Sequence, residues 1–543
     1  MKVADRRVAY TSAIVAGVVA VLVIVWLVHP LRYPFANDTA GYLQEAVNFV
    51  AGKGLRRWVG WPDSGVMLAP SPYFPPGYAI AIATAISLGL SPKAGALAIA
   101  WGAWALLVPA ILFALRPIVS GTLIPILIGL IVVTSPGLYE WGYQALSDGP
   151  ALLLSILCVG ALLRGTRDQP HAWQWAVASG ILAGMAYAVR NAAVILPITA
   201  IGSFAAATAL GMLDFRGAAR RACIWGLGFA AVLVPLLVRN VSEFGALQPY
   251  FVHHGATEYG WIRAIRVVLW SGLLDLSGSR EVAEVAWNFK LILLIGLPIA
   301  AILVWVGVRF WSAASEDQWI GVITLGLFVV LGLAMVTVGR VRFDWVETTL
   351  TRYVMQYSWA ILGLAVCLFT GPGLAAGAMR YSFLAILVPV FLYHIQYIQE
   401  DISRESLIAQ AFLEKKNFEE AAASLVNKEW ILTNQIRMAI SRDIWLKEYI
   451  TEIPQDVQVS SNFASTLYIE TGRIVRPVQL FRAESTWTVQ PIGTRRQVFV
   501  LLPTNLILRG PHPESWQTEI AYGLRSRVLV DKQTSNVLVM RTK

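Results

Sequence analysis

The residues that could do chemistry in this chain are few, and most stand where apolar sequence begins or ends. An Asn37-Asp38 pair follows the apolar run 8–28, inside the stretch LRYPFANDTAGYLQEAVNFVAGKG (residues 31–54), and a second acid, Asp148 in Ser147-Asp148, opens another apolar run. A carboxylate at a membrane edge can take a proton from an attacking group, which is general-base work. An ionisable side chain entering hydrocarbon is a functional candidate by default. Both acids also have a plainer reading as helix caps, Asn37 or Asp38 for one helix and Ser147-Asp148 for the other. Arg190, Arg340, Arg342 and Arg352 fall at the ends of apolar runs. An arginine fork can grip phosphate oxygens with two hydrogen bonds, or the side chain can snorkel to lipid headgroups. Around these charges Asn37, Tyr42, Trp58, Trp61, Tyr73, Tyr78, Glu140, Tyr143 and Tyr353 could line a substrate cavity. The tryptophans and tyrosines would serve equally as an interfacial aromatic belt or a platform for sugar rings. His253, His254 and Glu258 suggest a metal at first sight, but neighbouring histidines point apart on a helix and no third strong ligand is evident. A place in a substrate-binding loop, or plain surface exposure, fits them better. Thr39-Ala40 follows Asp38, so this stretch holds no D-x-D.

The elements that must carry these residues are membrane helices. The chain is 57% hydrophobic and only 14% charged, and its mean hydropathy is +0.60, a balance that a soluble domain with a polar surface does not reach. Crossing about 30 Å of hydrocarbon at 1.5 Å per residue needs roughly 20 apolar residues. Runs near 8–28, 95–115, 118–135, 148–164, 172–189, 191–212, 222–239, 289–309, 319–338, 353–370 and 381–398 provide about eleven spans of this kind. The first is read as retained, because no small-residue cleavage site follows it. With the N-terminus cytoplasmic, the cytoplasmic segments carry Lys2/Arg6/Arg7, Arg116, Arg164/Arg167, Arg216/Arg220/Arg221, Arg309 and Arg380, as the positive-inside rule requires. Gly77–Leu90, preceded by Pro75-Pro76, is too short to span and reads as an outer-face or partly inserted helix. The segments 29–94, 240–288 and 339–352 then lie outside, which brings Asp38, Asp148 and the four arginines to one face. The formal net charge is +10, but no Lys/Arg-rich run or nucleic-acid motif accompanies it. Cys158, Cys223 and Cys367 sit in apolar runs and read as packing residues.

From about Gln399 the composition turns charged and mixed. Apolar spacing at Leu407, Phe412, Leu413, Phe418 and Leu425 predicts amphipathic helices through Lys447. The runs VQVS, VRPVQLF, RRQVFVLL and SRVLV…NVLVMR predict strands after it. The expected division is a membrane domain, 1–398, and an outer-face α/β domain, 399–543.

A span, then ND-x3-Y-x3-A-x5-G-x-G, then a PPGY helix, then Thr134-Ser135-Pro136, then Ser147-Asp148 opening a span, resembles the GT-C integral-membrane glycosyltransferases. The likeness is to the protein O-mannosyltransferase and aminoarabinose transferase groups, which use polyprenyl-phosphate-sugar donors. AGMAYAVRNAAVILP (183–197) is similar to the family's stretch ending in arginine, PLLVRNVSEFG (235–245) to a loop entry, and TRYVMQYSWAIL (351–362) to an Arg-Tyr at the start of a late span. VSSNFASTLYIETGR resembles the appended outer domain of some bacterial members. The resemblance covers most of residues 1–400 through short, degenerate motifs whose order carries the weight. It implies a polytopic all-α GT-C membrane domain with a soluble α/β domain in the periplasm, in the inner membrane. It also implies inverting transfer from a polyprenyl-phosphate sugar to an envelope lipid, glycan or protein acceptor. In that scheme Asp38 is the general base, Asp148 orients it or a substrate hydroxyl, and the arginines, Arg190 and Arg352 foremost, hold the donor phosphate without a metal. A flippase of lipid-linked sugars would favour paired repeats and charges at mid-membrane, and a non-catalytic scaffold would use only the tail.

Overall fold

The computed structural model describes residues 3–61, 65–72, 74–119, 121–249, 260–284, 314–342, 350–369, 376–414, 437–438, 440–454, 457–461, 463–477, 480–483, 486–489, 497–501, 528–533 and 538–542. In chain order the helices are α1 (Val3–Val28), α2 (Asn37–Val50), α3 (Gly77–Ser87), α4 (Pro92–Ala105), α5 (Leu107–Leu115), α6 (Leu123–Val133), α7 (Pro136–Trp141), α8 (Asp148–Gly165), α9 (Ala172–Val189), α10 (Ile195–Ala209), α11 (Phe215–Phe244), α12 (Trp261–Ser277), α13 (Arg280–Glu284), α14 (Glu316–Arg342), α15 (Leu350–Phe369), α16 (Ala376–Glu414), α17 (Ile444–Glu452) and α18 (Ala464–Thr471). Two compact units divide the chain. One comprises Met1–Val25, Pro72–Ala81 and Leu97–Glu400; the other comprises Trp26–Ser71, Ile82–Ala96 and Asp401–Lys543.

Among the described residues, seven helical stretches are long and apolar enough to cross a membrane: Arg7–Val28, Pro92–Leu115, Asp148–Gly165, Asn191–Ala209, Phe215–Phe244, Glu316–Val341 and Phe383–Ser403. The expected span at 289–309 lies outside the described residues. The region 118–135 holds only the eleven-residue α6, about 16 Å of helix at 1.5 Å per residue, because Thr134-Ser135-Pro136 ends it. The Ser135 hydroxyl then accepts the Leu138 N–H and Pro136 takes the first position of α7, the chemistry of a helix start. The segment 240–288, for which no helix was expected, contains α12, an amphipathic helix with Ala264, Val267, Val268, Ser271, Leu274 and Asp275 on its buried face.

Within the first unit, helices meet through small residues, as membrane helices without a hydrophobic drive between them commonly do. α9 carries Gly180 and Gly184 in GILAG, and a Cβ at Gly180 would lie 2.1 Å from the Trp225 carbonyl of α11. Gly228 faces back, with 2.6 Å between such a Cβ and the Val177 carbonyl. Ser179 lies between three helices: its hydroxyl donates to the Cys158 carbonyl at 3.0 Å and accepts from Trp225 Nε1 at 3.1 Å.

In the second unit, α2 is followed by two glycines at positive φ, Gly52 and Gly54, which reverse the chain into β1 (Arg56–Trp61). That strand pairs antiparallel with β2 (Gly65–Pro70). Asn48 Nδ2 donates to the Arg56 carbonyl at 2.9 Å, and Trp58 N–H donates to Gln44 Oε1 at 3.1 Å, so polar side chains of α2 hold the hairpin. C-terminal strands β3 (Gln458–Ser461), β4 (Val475–Pro477), β7 (Gln497–Leu501), β8 (Val528–Gln533) and β9 (Leu538–Thr542) form one sheet in the order β4-β3-β7-β9-β8; β5 (Leu480–Ala483) and β6 (Thr486–Val489) form a separate pair. β3 runs parallel to β4 and β7, with α18 as the crossover from β3 to β4. Gly472, at φ 70°, ends α18 as a left-handed C-terminal glycine does. The helix α16 runs on unbroken to Glu414, past the composition change at Gln399.

Replacing Gly180 by Leu would force α9 from the α11 backbone, an overpacking cost of about 1–3 kcal/mol or more. Thermal unfolding of the purified protein should fall by several degrees, whereas Gly226→Ala, where a Cβ meets nothing within 4 Å, should leave it unchanged.

Candidate active site

In the first unit the sequence brings three distant segments to one carboxylate. Asp148 is the first residue of α8 and is 0% exposed; Pro150 two residues on is tolerated because the first turn needs no N–H there. Arg190 reaches it because α9 stops at Val189. Arg190 itself is extended (φ −154°, ψ 124°) before a short 3₁₀ turn at Asn191–Val194. Arg352 reaches it from the first turn of α15. Arg190 Nη1 lies 2.7 Å from Asp148 Oδ1, and Arg352 places Nη2 and Nε each 2.8 Å from Oδ2. One helical turn beyond Arg352, Gln356 Nε2 donates to the Asp148 backbone carbonyl at 3.2 Å. Each guanidinium also rests against a ring, Arg190 over Tyr353 at 5.1 Å and Arg352 over Trp141 at 5.5 Å. Trp141 Nε1 donates to Thr351 Oγ1 at 3.1 Å.

Two guanidiniums share one carboxylate, with 13% and 11% of the two arginine side chains exposed. A narrow cleft opens beside it, bounded by Arg190, Ser155, Gln356 and Tyr357 with Phe328 and Ile195 as apolar walls. An incoming anion would find fixed charge in a poorly solvated setting, where electrostatic contacts are strongest.

Other residues singled out in this unit are placed as follows. Glu140 Oε1 accepts from the Tyr397 hydroxyl at 2.8 Å. Tyr143 is buried, its ring tilted against Trp101 and its carbonyl accepting Trp101 Nε1 at 2.9 Å. Tyr78 is buried in α3, and Arg340 is buried near the end of α14. Arg342 belongs to the last turn of α14. Tyr73, His253, His254 and Glu258 lie outside the described residues. Among the described residues, no group of three or more His, Cys, Asp or Glu is arranged to hold a metal ion.

The second unit holds Asn37 and Asp38 in the first turn of α2. The residue capping that helix is Ala36, whose N–H donates to Thr39 Oγ1 at 3.0 Å, so neither acid-side residue occupies the cap position. Asn37 is exposed and Asp38 half-buried; Tyr42 packs inside, Trp58 is half-buried, and Trp61 ends β1. Residues the sequence reading did not single out surround this turn. Arg437 Nη2 donates to Asn37 Oδ1 at 2.8 Å. Burial lowers the Arg437 pKa, with Tyr33 and then Asp38 opposing the shift. The Tyr33 hydroxyl donates to Glu470 Oε1 at 2.8 Å, and Lys93 Nζ pairs with Glu470 Oε2 at 2.9 Å. Burial, then the Glu470 charge, pushes the Tyr33 phenol above its ordinary range. Arg32 pairs with Asp401 and, at 2.7 Å, with Glu405. The clue available in the sequence was the ETGR end of VSSNFASTLYIETGR, which contains Glu470.

This arrangement stands on a recognisable fold. The structure of ArnT from Cupriavidus metallidurans bound to undecaprenyl phosphate superposes with a TM-score of 0.57 and 11% identity, over 99% of this chain and 98% of that one. Its apo structure gives 0.56 and 12%, over 96% and 97%. The chain therefore has the fold of the GT-C membrane glycosyltransferases. The Archaeoglobus fulgidus oligosaccharyltransferase, in complex with Zn and sulfate, aligns with a TM-score of 0.47 and 12% identity, over 85% of this chain and 62% of that one. No protein-family model matches the sequence, and no curated protein matches it.

Removing one partner of a buried ion pair leaves uncompensated charge and costs about 3–5 kcal/mol. Asp148→Ala, which would leave two guanidiniums facing each other, is expected to lose stability of that order, read as a lower midpoint of thermal unfolding in detergent.

Proposed function

We propose that this protein transfers a sugar from a polyprenyl-phosphate-linked donor to an acceptor at the outer face of the inner membrane, with inversion at the anomeric carbon. The observation that carries this reading is the buried Asp148 carboxylate holding Arg190 and Arg352 side by side, on a fold matched along its whole length by a protein with undecaprenyl phosphate bound. Fold alone does not define chemistry, and the two guanidinium forks of this group, suited to phosphate oxygens, are what support the donor class. In the proposed reaction the acceptor oxygen or nitrogen loses its proton to Asp38 as it bonds to the anomeric carbon. The bond from that carbon to the phosphate oxygen breaks, and its electron pair leaves with the lipid phosphate. Arg190 and Arg352 would stabilise the growing phosphate charge, with Arg340 and Arg342 as further cations. Asp148 would fix the two forks in orientation, which also limits the reorganisation needed when the anion arrives. A metal ion is not part of this scheme.

The proposed layout places residues 1–398 in the membrane domain, with outer segments 29–94, 240–288 and 339–352, and residues 399–543 in a periplasmic domain. Asn37, Tyr42, Trp58, Trp61, Tyr73, Tyr78, Glu140, Tyr143, His253, His254, Glu258 and Tyr353 are the proposed substrate-side residues. The acceptor class is an envelope lipid, glycan or protein.

Two variants test the scheme. Asp38→Asn, expressed in a strain lacking the chromosomal copy, should fail to restore the envelope modification lost in that strain, measured by mass spectrometry of lipids, glycans and proteins, while still binding undecaprenyl phosphate; full restoration would rule out Asp38 as the base. Arg352→Ala should weaken undecaprenyl phosphate binding roughly 10- to 100-fold, the worth of a charged hydrogen bond of about 1.5–3 kcal/mol, and unchanged affinity would remove Arg352 from the phosphate site.

A further inference from the structure

The buried face of α12 is apolar except for Ser271 and one acid, Asp275, which is 1% exposed. A carboxylate in such a place is costly unless donors satisfy it. Asp275 takes them from two other helices. The Gly137 N–H of α7 donates to Oδ1 at 2.8 Å, and the Ser358 hydroxyl of α15 donates to Oδ2.

The helix thus held is very short. α7 has six residues, well below the roughly 12–15 that an isolated helix needs for even marginal stability, so its position depends on anchors. Ser135 satisfies the Leu138 N–H from within the turn, and Asp275 satisfies the Gly137 N–H from outside it. The backbone at Gly137 lies close against its neighbours: a Cβ there would sit 2.6 Å from Asp275 Oδ1, 2.9 Å from Met355 Cβ and 3.0 Å from the Thr351 carbonyl. At the other end of α7, Trp141 is tied to Thr351 and its ring lies beneath the Arg352 guanidinium.

α15 therefore presents two adjoining faces. Thr351, Met355 and Ser358, spaced at helical repeats, receive α7 and Asp275; Arg352 and Gln356, one turn apart, receive Asp148. We propose that Asp275 is a positioning residue for Arg352: by fixing the start of α7 it fixes Trp141, the floor on which the Arg352 guanidinium is held. This inference rests on the reading of Arg352 as a phosphate-binding residue.

The test measures undecaprenyl phosphate affinity of the purified full-length protein in nanodiscs. Asp275→Ala should weaken binding roughly 5- to 10-fold, as the loss of a buried hydrogen-bond acceptor implies. Asp275→Asn, whose amide oxygen still accepts the Gly137 N–H, should bind within about twofold of wild type. Thr351→Val releases the far end of α7 without touching Asp275. It should weaken binding in the same direction, and less than additively with Asp275→Ala, because both act through one helix. If Asp275→Ala does not fold, Asp275→Asn and Thr351→Val decide: the first binding as wild type and the second more weakly support the proposal. Thr351→Val binding as wild type overturns it. Where Arg352→Ala binds more weakly but Asp275→Ala is unchanged, the positioning role is wrong and the phosphate reading stands. Where Arg352→Ala itself is unchanged, the phosphate reading fails and takes this inference with it.

Discussion

A carboxylate removed from water must be paired, and at Asp148 that requirement organises the first unit. The acid starts α8, and the two cations that satisfy it come from residues about 40 and 200 positions along the chain. Each had to be delivered by a specific irregularity. α9 ends one residue before Arg190 so that its backbone can turn extended, and α15 begins so that Arg352 and Gln356 fall on one face. Desolvating such a group offsets much of the Coulomb gain. What the arrangement provides is place and orientation: two forks held side by side on one carboxylate.

The surroundings of this group are arranged to let helices come close. Gly180, Gly184 and Gly228 allow α9 and α11 to approach at backbone distance, and Ser179 supplies hydrogen bonds between the helices that meet there. At Gly137 the same device brings α7 onto α15. In the second unit the ties are polar instead. Arg32, Tyr33, Asn37 and Lys93 are bound to Asp401, Glu405, Arg437 and Glu470, so the segment after the first span and the C-terminal segment belong to one compact body. The C-terminal region is therefore a structural neighbour of Asn37 and Asp38, with Arg437 in direct contact with Asn37.

The GT-C fold was legible in the order of motifs and runs, and several local signals proved sound for local reasons. Ser147-Asp148, read as opening an apolar run, starts α8. The alternating runs near the C-terminus form strands, β3, β4, β7, β8 and β9 in one sheet, with the end of VRPVQLF entering the separate β5–β6 pair. Other features were not legible. The run 118–135 looks long enough for a span because hydropathy does not register where a Ser-Pro start interrupts it. α12 was hidden because Arg263 and Arg266 dilute its apolar signal, and the β1–β2 hairpin because neither RRWVGW nor GVMLAP alternates apolar and polar residues regularly.

By itself the sequence determined the membrane character, many of the apolar helices and the small group of charged residues at their ends, since these follow from composition and from the length a helix needs to cross hydrocarbon. Only the tertiary structure decided which charges meet. It assigned Asp148 to Arg190 and Arg352, Glu470 to Tyr33 and Lys93, and Arg437 to Asn37, and it brought forward Asp275, which no motif marked. The physical reason is that pairing depends on where helices stop and how closely their backbones approach. Both are set by contacts between residues far apart in the chain, which local sequence patterns do not encode.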